Sequence, residues 1–204
     1  MFIAVEGVDG AGKGTQISLL NKHFADQGHV VVQTREPGGT AGAEQIRALL
    51  VEGAAGRWSA ETELLLMYAA RQDHVETLIK PALMEGNIVL CDRFHGSSFV
   101  YQGVAGGLGM ERVQDLDDFV LGGFGPDLEL VIDLPVDVSL ARASSRAGQE
   151  TRFESKGVGF LDMVRRGFHD YVARKPQRRH LIDGRGTVED VHERILDVVR
   201  GASC

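Results

Sequence analysis

Cysteine is scarce in this chain: two thiols in 204 residues, Cys91 within an apolar run and Cys204 at the last position. That cannot build a disulfide framework and suits a reducing compartment. Long apolar runs are missing as well. None approaches the roughly 18 residues that a membrane span needs. The opening "MFIAVEG" shows neither a basic segment nor a cleavage site, so the expectation is a cytoplasmic protein with no membrane partner. Positive charge is short too, since 22 Lys and Arg face 29 Asp and Glu for a net charge of -7. Such a chain has no general attraction to nucleic acid, and any anion it binds must be held by a local arrangement. A composition 43% hydrophobic and 25% charged is that of a globular protein, and it excludes a disordered one. The length fits one domain over 1–204 that can bury a substantial core.

Short apolar runs alternate with longer helical patterns. "FIAV" (2–5), "HVVVQT" (29–34), "NIVLCD" (87–92), "LELVIDL" (128–134) and "RHLID" (179–183) read as strands buried on both faces, being continuous and rich in β-branched residues. Helices are expected near 13–27, 42–52, 60–85, 94–103, 110–121, 136–146, 158–174 and 188–200. Gly28 stops the first, and Pro81 should kink or interrupt the third. Thr187 and Asp190 make a capping-box start for the last, whose Val188, Val191, Ile195 and Val198 share a face. Strands separated by helices imply parallel pairing with right-handed crossovers, hence a three-layer α/β fold around a five-stranded parallel sheet. The arginine-rich, least apolar stretch, 141–159, reads as a mobile flap.

Between the first strand and first helix stands "VEGVDGAGKGTQ". Glycines let successive backbone N–H groups turn inward without Cβ clashes, and the following helix adds its positive end, so the stretch is built to cradle phosphate. Lys13 supplies a point charge for the outer phosphates of a nucleotide. The pattern G-x-x-x-x-G-K-[ST] is met by Gly7, Gly12 and Lys13; Gly14 takes the hydroxyl position and Thr15 comes one late. Magnesium is then left to water or a carboxylate. A glycine-rich surface turn with a solvated lysine is the plainer alternative, and the flanking strand and helix weigh against it.

The second strand runs into "TREPGGT" and the third into "LCDRF", which puts Glu36, Pro37, Asp92 and Arg93 at the edge of a parallel sheet where ligands gather. An aspartate ending a strand beside such a loop supports magnesium, directly or through water; a surface ion pair of Asp92 with Arg93 is the alternative. In "DRFHGSSFVYQG", Phe94, Ser98, Tyr101 and Gln102 fall on one helical face, which offers donors and acceptors to a nucleobase edge. Without its context the same pattern is equally a half-buried helix face. His95 is expected to be exposed and has no assigned role. Met67 and Arg71 share a face of the long helix, an apolar platform one turn before a cation, although Met67 alone would more often be core.

Taken together, "EGVDGAGKGT", "TREPGGT", "LLMYAARQDH", "IKPAL", "VLCDRFHGSSFVYQG" and "FGPDLELVIDL" resemble the bacterial thymidylate kinase family, phosphotransferases of the P-loop class that act between ATP and dTMP, in order along nearly the whole chain. The resemblance implies that Gly7, Val8, Asp9, Gly10, Ala11, Gly12, Lys13, Gly14 and Thr15 cradle ATP, with Lys13 on the transferred phosphate. It implies that Asp9 reaches toward dTMP and that Glu36 and Pro37 shape the acceptor pocket. Arg71 and Arg93 would clamp the monophosphate, Ser98 and Gln102 would bond the thymine edge, and Tyr101 would crowd a ribose 2′-hydroxyl. Met67 stands where the family usually stacks a phenylalanine on the base. Mg2+ would be held near Asp92 and Asp9, directly or through water. One branch of the family carries a P-loop arginine where this chain has Gly10, so the missing charge would come from Arg146 or Arg152 in the flap, here acting as a LID. A homodimer is also implied.

Two rivals share the loop. Adenylate kinases carry a G-[FY]-P-R acceptor signature that is absent here. GTPase switches need an N-K-x-D reader, and "NKHF" at 21–24 lacks the aspartate and lies within the first helix. A dead nucleotide-binding protein fits poorly with Lys13, Arg71, Asp92 and Arg93 all in place.

Overall fold

The computed structural model describes residues 1–53, 56–144 and 158–202. Among them, five strands form one sheet: β1 (Phe2–Gly7), β2 (Val31–Arg35), β3 (Ile88–Asp92), β4 (Leu128–Asp133) and β5 (Arg179–Asp183). They pair in the order β2-β3-β1-β4-β5, every pair parallel. The apolar runs of β1, β3 and β4 are the middle of the sheet and almost wholly buried, whereas β2 lies at an edge and is half-exposed. β1 continues two residues beyond its apolar run, through a fully buried Glu6. β2 starts at Val31, two residues later than expected.

Helices α1 (Lys13–Asp26), α2 (Ala41–Val51) and α3 (Ala60–His74) follow the first two strands. Gly28, at φ 87, closes α1 by donating its N–H to the Ala25 carbonyl at 2.9 Å. Thr40 caps α2 by accepting from the Ala43 N–H, and Ser59 caps α3 through the Thr62 N–H. Pro81 interrupts the helical run as expected, through a device that periodicity does not reveal. A wide π-type turn, Val75–Ile79, precedes α4 (Lys80–Met84), whose first turn holds the proline where its missing N–H costs nothing.

The helix expected at 94–103 is a short α5 (His95–Ser98) running into a second π-type turn, Phe99–Ala105. Phe94 lies outside it in extended geometry, so the single i+3/i+4 face read from the sequence is replaced by a rewound one. Ser98, at the end of α5, and Tyr101 and Gln102, within the turn, are all buried.

The remaining helices are α6 (Met110–Leu121), α7 (Val136–Ser144), α8 (Val158–Ala173) and α9 (Val188–Ala202). The capping box of α9 forms in both directions, Asp190 N–H to Thr187 Oγ1 at 3.1 Å and Thr187 N–H to Asp190 Oδ2 at 2.8 Å. Its buried line is Val191, Ile195 and Val199. Val188 is exposed at the open first turn and Val198 sits at the margin, which corrects the expected stripe. Helices α1 and α9 pack on each other and on the sheet, and α4, α5 and α8 pack on β3, β1 and β4–β5 in a three-layer α/β fold. Most of the flap read at 141–159 lies outside the described residues. Because all strands run the same way, the segments after β1, β2 and β3 emerge together at one sheet edge.

Candidate active site

At that edge Gly7 ends β1 with φ 135, and a methyl group there would lie 2.6 Å from the Ile132 carbonyl oxygen. Only glycine lets the chain leave the sheet this close to β4. The loop turns back through Gly10 and Gly12, both in left-handed geometry, and Gly12 begins α1. Gly14 is different: its backbone is ordinary and no atom within 4 Å would meet a side chain, so packing does not demand glycine there. Thr15 is exposed in the first turn of α1. Lys13 is buried and folds back along the loop, its Nζ donating to the Gly7 and Val8 carbonyls at 3.2 and 3.1 Å, with Asp9 Oδ1 at 3.5 Å. Burial, helped by the nearby Arg93 charge, pushes its pKa down, against the pull of Asp92, Asp9 and Glu6.

Arg93 joins this loop to the segment after β3. It alone among the described non-glycine residues has a left-handed backbone, at φ 67, a conformation costing about 1–3 kcal/mol unless its surroundings impose it. They do. Nη1 donates to Gly7 O at 3.1 Å and to Ser97 Oγ at 3.2 Å, and Nη2 pairs with Asp9 Oδ1. Burial raises the Asp9 pKa, but the Arg93 and Lys13 charges outweigh it and hold the carboxyl at about 2. Behind them Glu6 accepts from the Phe94 N–H at 2.8 Å, the Ser97 N–H at 3.0 Å and the Ser97 hydroxyl at 2.6 Å. Asp92 keeps a buried Oδ1 with no hydrogen-bond partner.

The segment after β2 supplies Glu36, the partner of a second buried cation, Arg71 of α3. Glu36 accepts from Arg71 Nε at 2.7 Å, and the other carboxylate oxygen lies 3.1 Å from His74 Nδ1. His74 Nε2 in turn meets Thr34 Oγ1 at 2.7 Å. The paired glycines of "TREPGGT" are needed there, since a methyl group on Gly39 would sit 2.5 Å from that hydroxyl. Arg71, 2% exposed, packs on the rings of Tyr68 and Phe94, 4.5 and 5.1 Å from their centroids. Its Nη2 donates to the Phe94 carbonyl and to Ser98 Oγ, both at 3.1 Å, and its buried Nη1 has no partner. Tyr101 places its ring 5.4 Å from the Arg93 guanidinium, and burial, opposed by that charge, pushes its pKa up to about 12. Gln102 is buried beside it, while Met67 and Pro37 are half-buried.

The family model for thymidylate kinase matches residues 5–195. This chain belongs to the thymidylate kinase family. It is 50% identical to the thymidylate kinase of Caulobacter vibrioides over 198 residues, 97% of this chain and 95% of that one. It is 46% identical to the Pseudomonas putida enzyme over 201 residues, 98% and 95% of the two chains. The crystal structure of thymidylate kinase from Ehrlichia chaffeensis superposes with a TM-score of 0.80 at 33% identity, covering 98% of both chains.

In this chain hydrogen bonds join Arg93 to Gly7 and Asp9 of the loop, and join Arg71 to Glu36 and Ser98. Arg146 and Arg152 lie outside the described residues. The sequence reading passed over Glu6 and His74, although a carboxylate within "FIAVEG" was a signal: a charge in an apolar strand needs several donors to stay there. The reading of His95 was wrong. It is 7% exposed and wedged between two carboxylates, Nδ1 3.2 Å from Asp117 Oδ1 and Nε2 3.3 Å from Glu129 Oε1. It opens α5 and turns into the core, toward Asp117 of α6 and Glu129 of β4.

Proposed function

We propose that this chain transfers the terminal phosphoryl group of ATP to the phosphate of dTMP, giving ADP and dTDP. The observation that carries the site assignment is Arg93, which binds Gly7 and Asp9 of the phosphate loop while its own segment presents Ser98, Tyr101 and Gln102. Donor and acceptor halves are thus tied by one guanidinium. In this reading the loop from Gly7 to Thr15 cradles ATP, and Lys13 exchanges its loop carbonyls for the transferred phosphoryl group. The unpartnered Nη1 of Arg71 and the Arg93 fork receive the monophosphate. Ser98, which accepts from Arg71, still has a proton to give to the thymine edge, and Gln102 gives and accepts beside it. Met67 covers the base, Tyr101 the sugar, and Glu36 with Pro37 the pocket wall.

The orphaned Oδ1 of Asp92 fits a hard cation, and Asp9 is the second candidate, although its Oδ1 is taken by Arg93 and Lys13. Among the described residues no three or more His, Cys, Asp or Glu side chains are arranged so that they could hold a metal ion by themselves. Mg2+ commonly takes one or two carboxylates and completes its shell with water and phosphate, and when bound it would neutralise charge on the phosphates. No described helix is long and apolar enough to cross a membrane. The same reading makes the 204 residues one kinase unit, working in the cytoplasm as a homodimer.

With ATP and magnesium, dTMP should be turned over far faster than AMP, GMP or the ribo-analogue of dTMP. Equal rates with AMP would sink the assignment. Gly10 leaves the loop without an arginine, so we assign the missing charge to the flap. Arg152→Ala, or failing that Arg146→Ala, should lower kcat strongly and leave the KM for dTMP nearly unchanged, as for a contact made mainly in the transition state. Full kcat in both variants would leave the charge to Lys13 and magnesium alone.

A further inference from the structure

Both nitrogens of His95 face carboxylate oxygens, at 3.2 Å toward Asp117 on α6 and 3.3 Å toward Glu129 on β4. A carboxylate only accepts, whereas a neutral imidazole has one N–H and one lone pair, so one of these contacts would be repulsive unless the ring carries both protons. Each oxygen that faces the ring already accepts another hydrogen bond, which disfavours a proton there. Asp117 Oδ1 also accepts from the Tyr68 hydroxyl at 2.8 Å. Glu129 accepts from the Tyr171 hydroxyl at 2.6 Å and from Arg179 Nε at 3.0 Å. A charged His95 makes the cluster neutral, His95 and Arg179 against Asp117 and Glu129.

The cluster touches the acceptor site at two points. Tyr68, held by Asp117, packs its ring on Arg71, and so does Phe94, the chain neighbour of His95, with ring centroids of Phe94 and His95 5.0 Å apart. The Phe94 carbonyl is itself an acceptor for Arg71. We infer that His95 is a positioning residue, held as an imidazolium, that sets Arg71 for the phosphate of dTMP through Asp117, Tyr68 and Phe94. This rests on the function proposed above. Burial works against the charged ring, but Glu129 and Asp117 win and lift its pKa to about 9. The contribution to stability is therefore whole below the ordinary value near about 6.5 and fades as pH rises through about 9. The other groups around the ring are Tyr171 of α8, Glu6 of β1 reached through Phe94, and Gly125, whose added methyl would lie 3.2 Å from the imidazole.

The test reads protonation and kinetics separately on the full-length protein. In 15N-edited NMR, both His95 ring nitrogens should carry protons near neutrality and titrate near pH about 9. Across roughly pH 7 to 10, the KM for dTMP at saturating ATP should climb with that midpoint. The climb should be on the order of tenfold, as for groups that orient a binding residue, with kcat much less affected. Asp117→Asn, which removes an attracting charge, should lower the NMR midpoint and carry the KM inflection with it. A neutral ring near pH 7, a dTMP KM indifferent to the His95 titration, or an inflection that stays put in Asp117→Asn would each overturn the inference. The wild-type comparison decides even if Asp117→Asn does not fold. Absence of dTMP turnover at every pH, with the NMR result intact, would overturn the proposed function and with it the link to dTMP.

Discussion

Lys13→Ala is expected to lower kcat by roughly a hundredfold or more, since a cation placed where charge develops contributes about 3–4 kcal/mol to the transition state. The structure shows why the effect should be kinetic and not a collapse of the fold. Among the described residues Lys13 Nζ bonds to the Gly7 and Val8 carbonyls and approaches Asp9, at the end of β1 and in the loop after it, and it joins no other element of the fold. The loop's path depends on Gly7, Gly10 and Gly12 instead. Thermal unfolding should therefore shift by a few degrees at most, while steady-state turnover with dTMP drops. Near-normal turnover in the folded variant would remove the loop from the chemistry.

Arg71→Ala should hurt binding and stability together. The side chain is buried against Glu36 at 2.7 Å, so its removal breaks a buried ion pair and leaves that carboxylate to His74, a kind of change that typically costs about 3–5 kcal/mol. At about 2–4 °C per kcal/mol for a chain of this size, the melting temperature should fall by roughly 6–20 °C. The KM for dTMP should rise by about two orders of magnitude or more, as when a charge-assisted fork to phosphate is lost. The double variant Arg71→Ala with Glu36→Gln separates the two effects. Neutralising Glu36 should return much of the stability, whereas the KM should stay high. A double variant that regained dTMP affinity would show Arg71 to be structural and take it out of the phosphate site.

The parts of the molecule legible in the sequence are those dictated by neighbours in the chain. Continuous β-branched runs mark strands covered on both faces, as β1, β3 and β4 are, and these and β5 fall within one or two residues of where the runs put them, although β5, at the other edge of the sheet, is only partly covered. The glycines and Lys13 of the phosphate loop, the stop at Gly28 and the cap of Thr187 with Asp190 are all contained in short windows, which local geometry alone can specify. The rewinding of Phe99–Ala105 was not legible, because a π-type turn obeys no apolar period of its own and is chosen by what packs around it.

The sequence by itself determined the kind of protein this is: a parallel α/β sheet, a phosphate loop after its first strand, and an arginine and a carboxylate after two others. Which charge meets which was decided only by the tertiary structure. Arg71 finds Glu36 across 35 positions, His95 finds Glu129 across 34, and Glu6 holds the Phe94 N–H across 88. No local pattern encodes those partners. Crossovers and strand order bring them together, and once they are buried the low dielectric makes each charge depend on the one it meets. For this reason His95, which reads as a surface residue from the letters around it, lies in the core between two carboxylates.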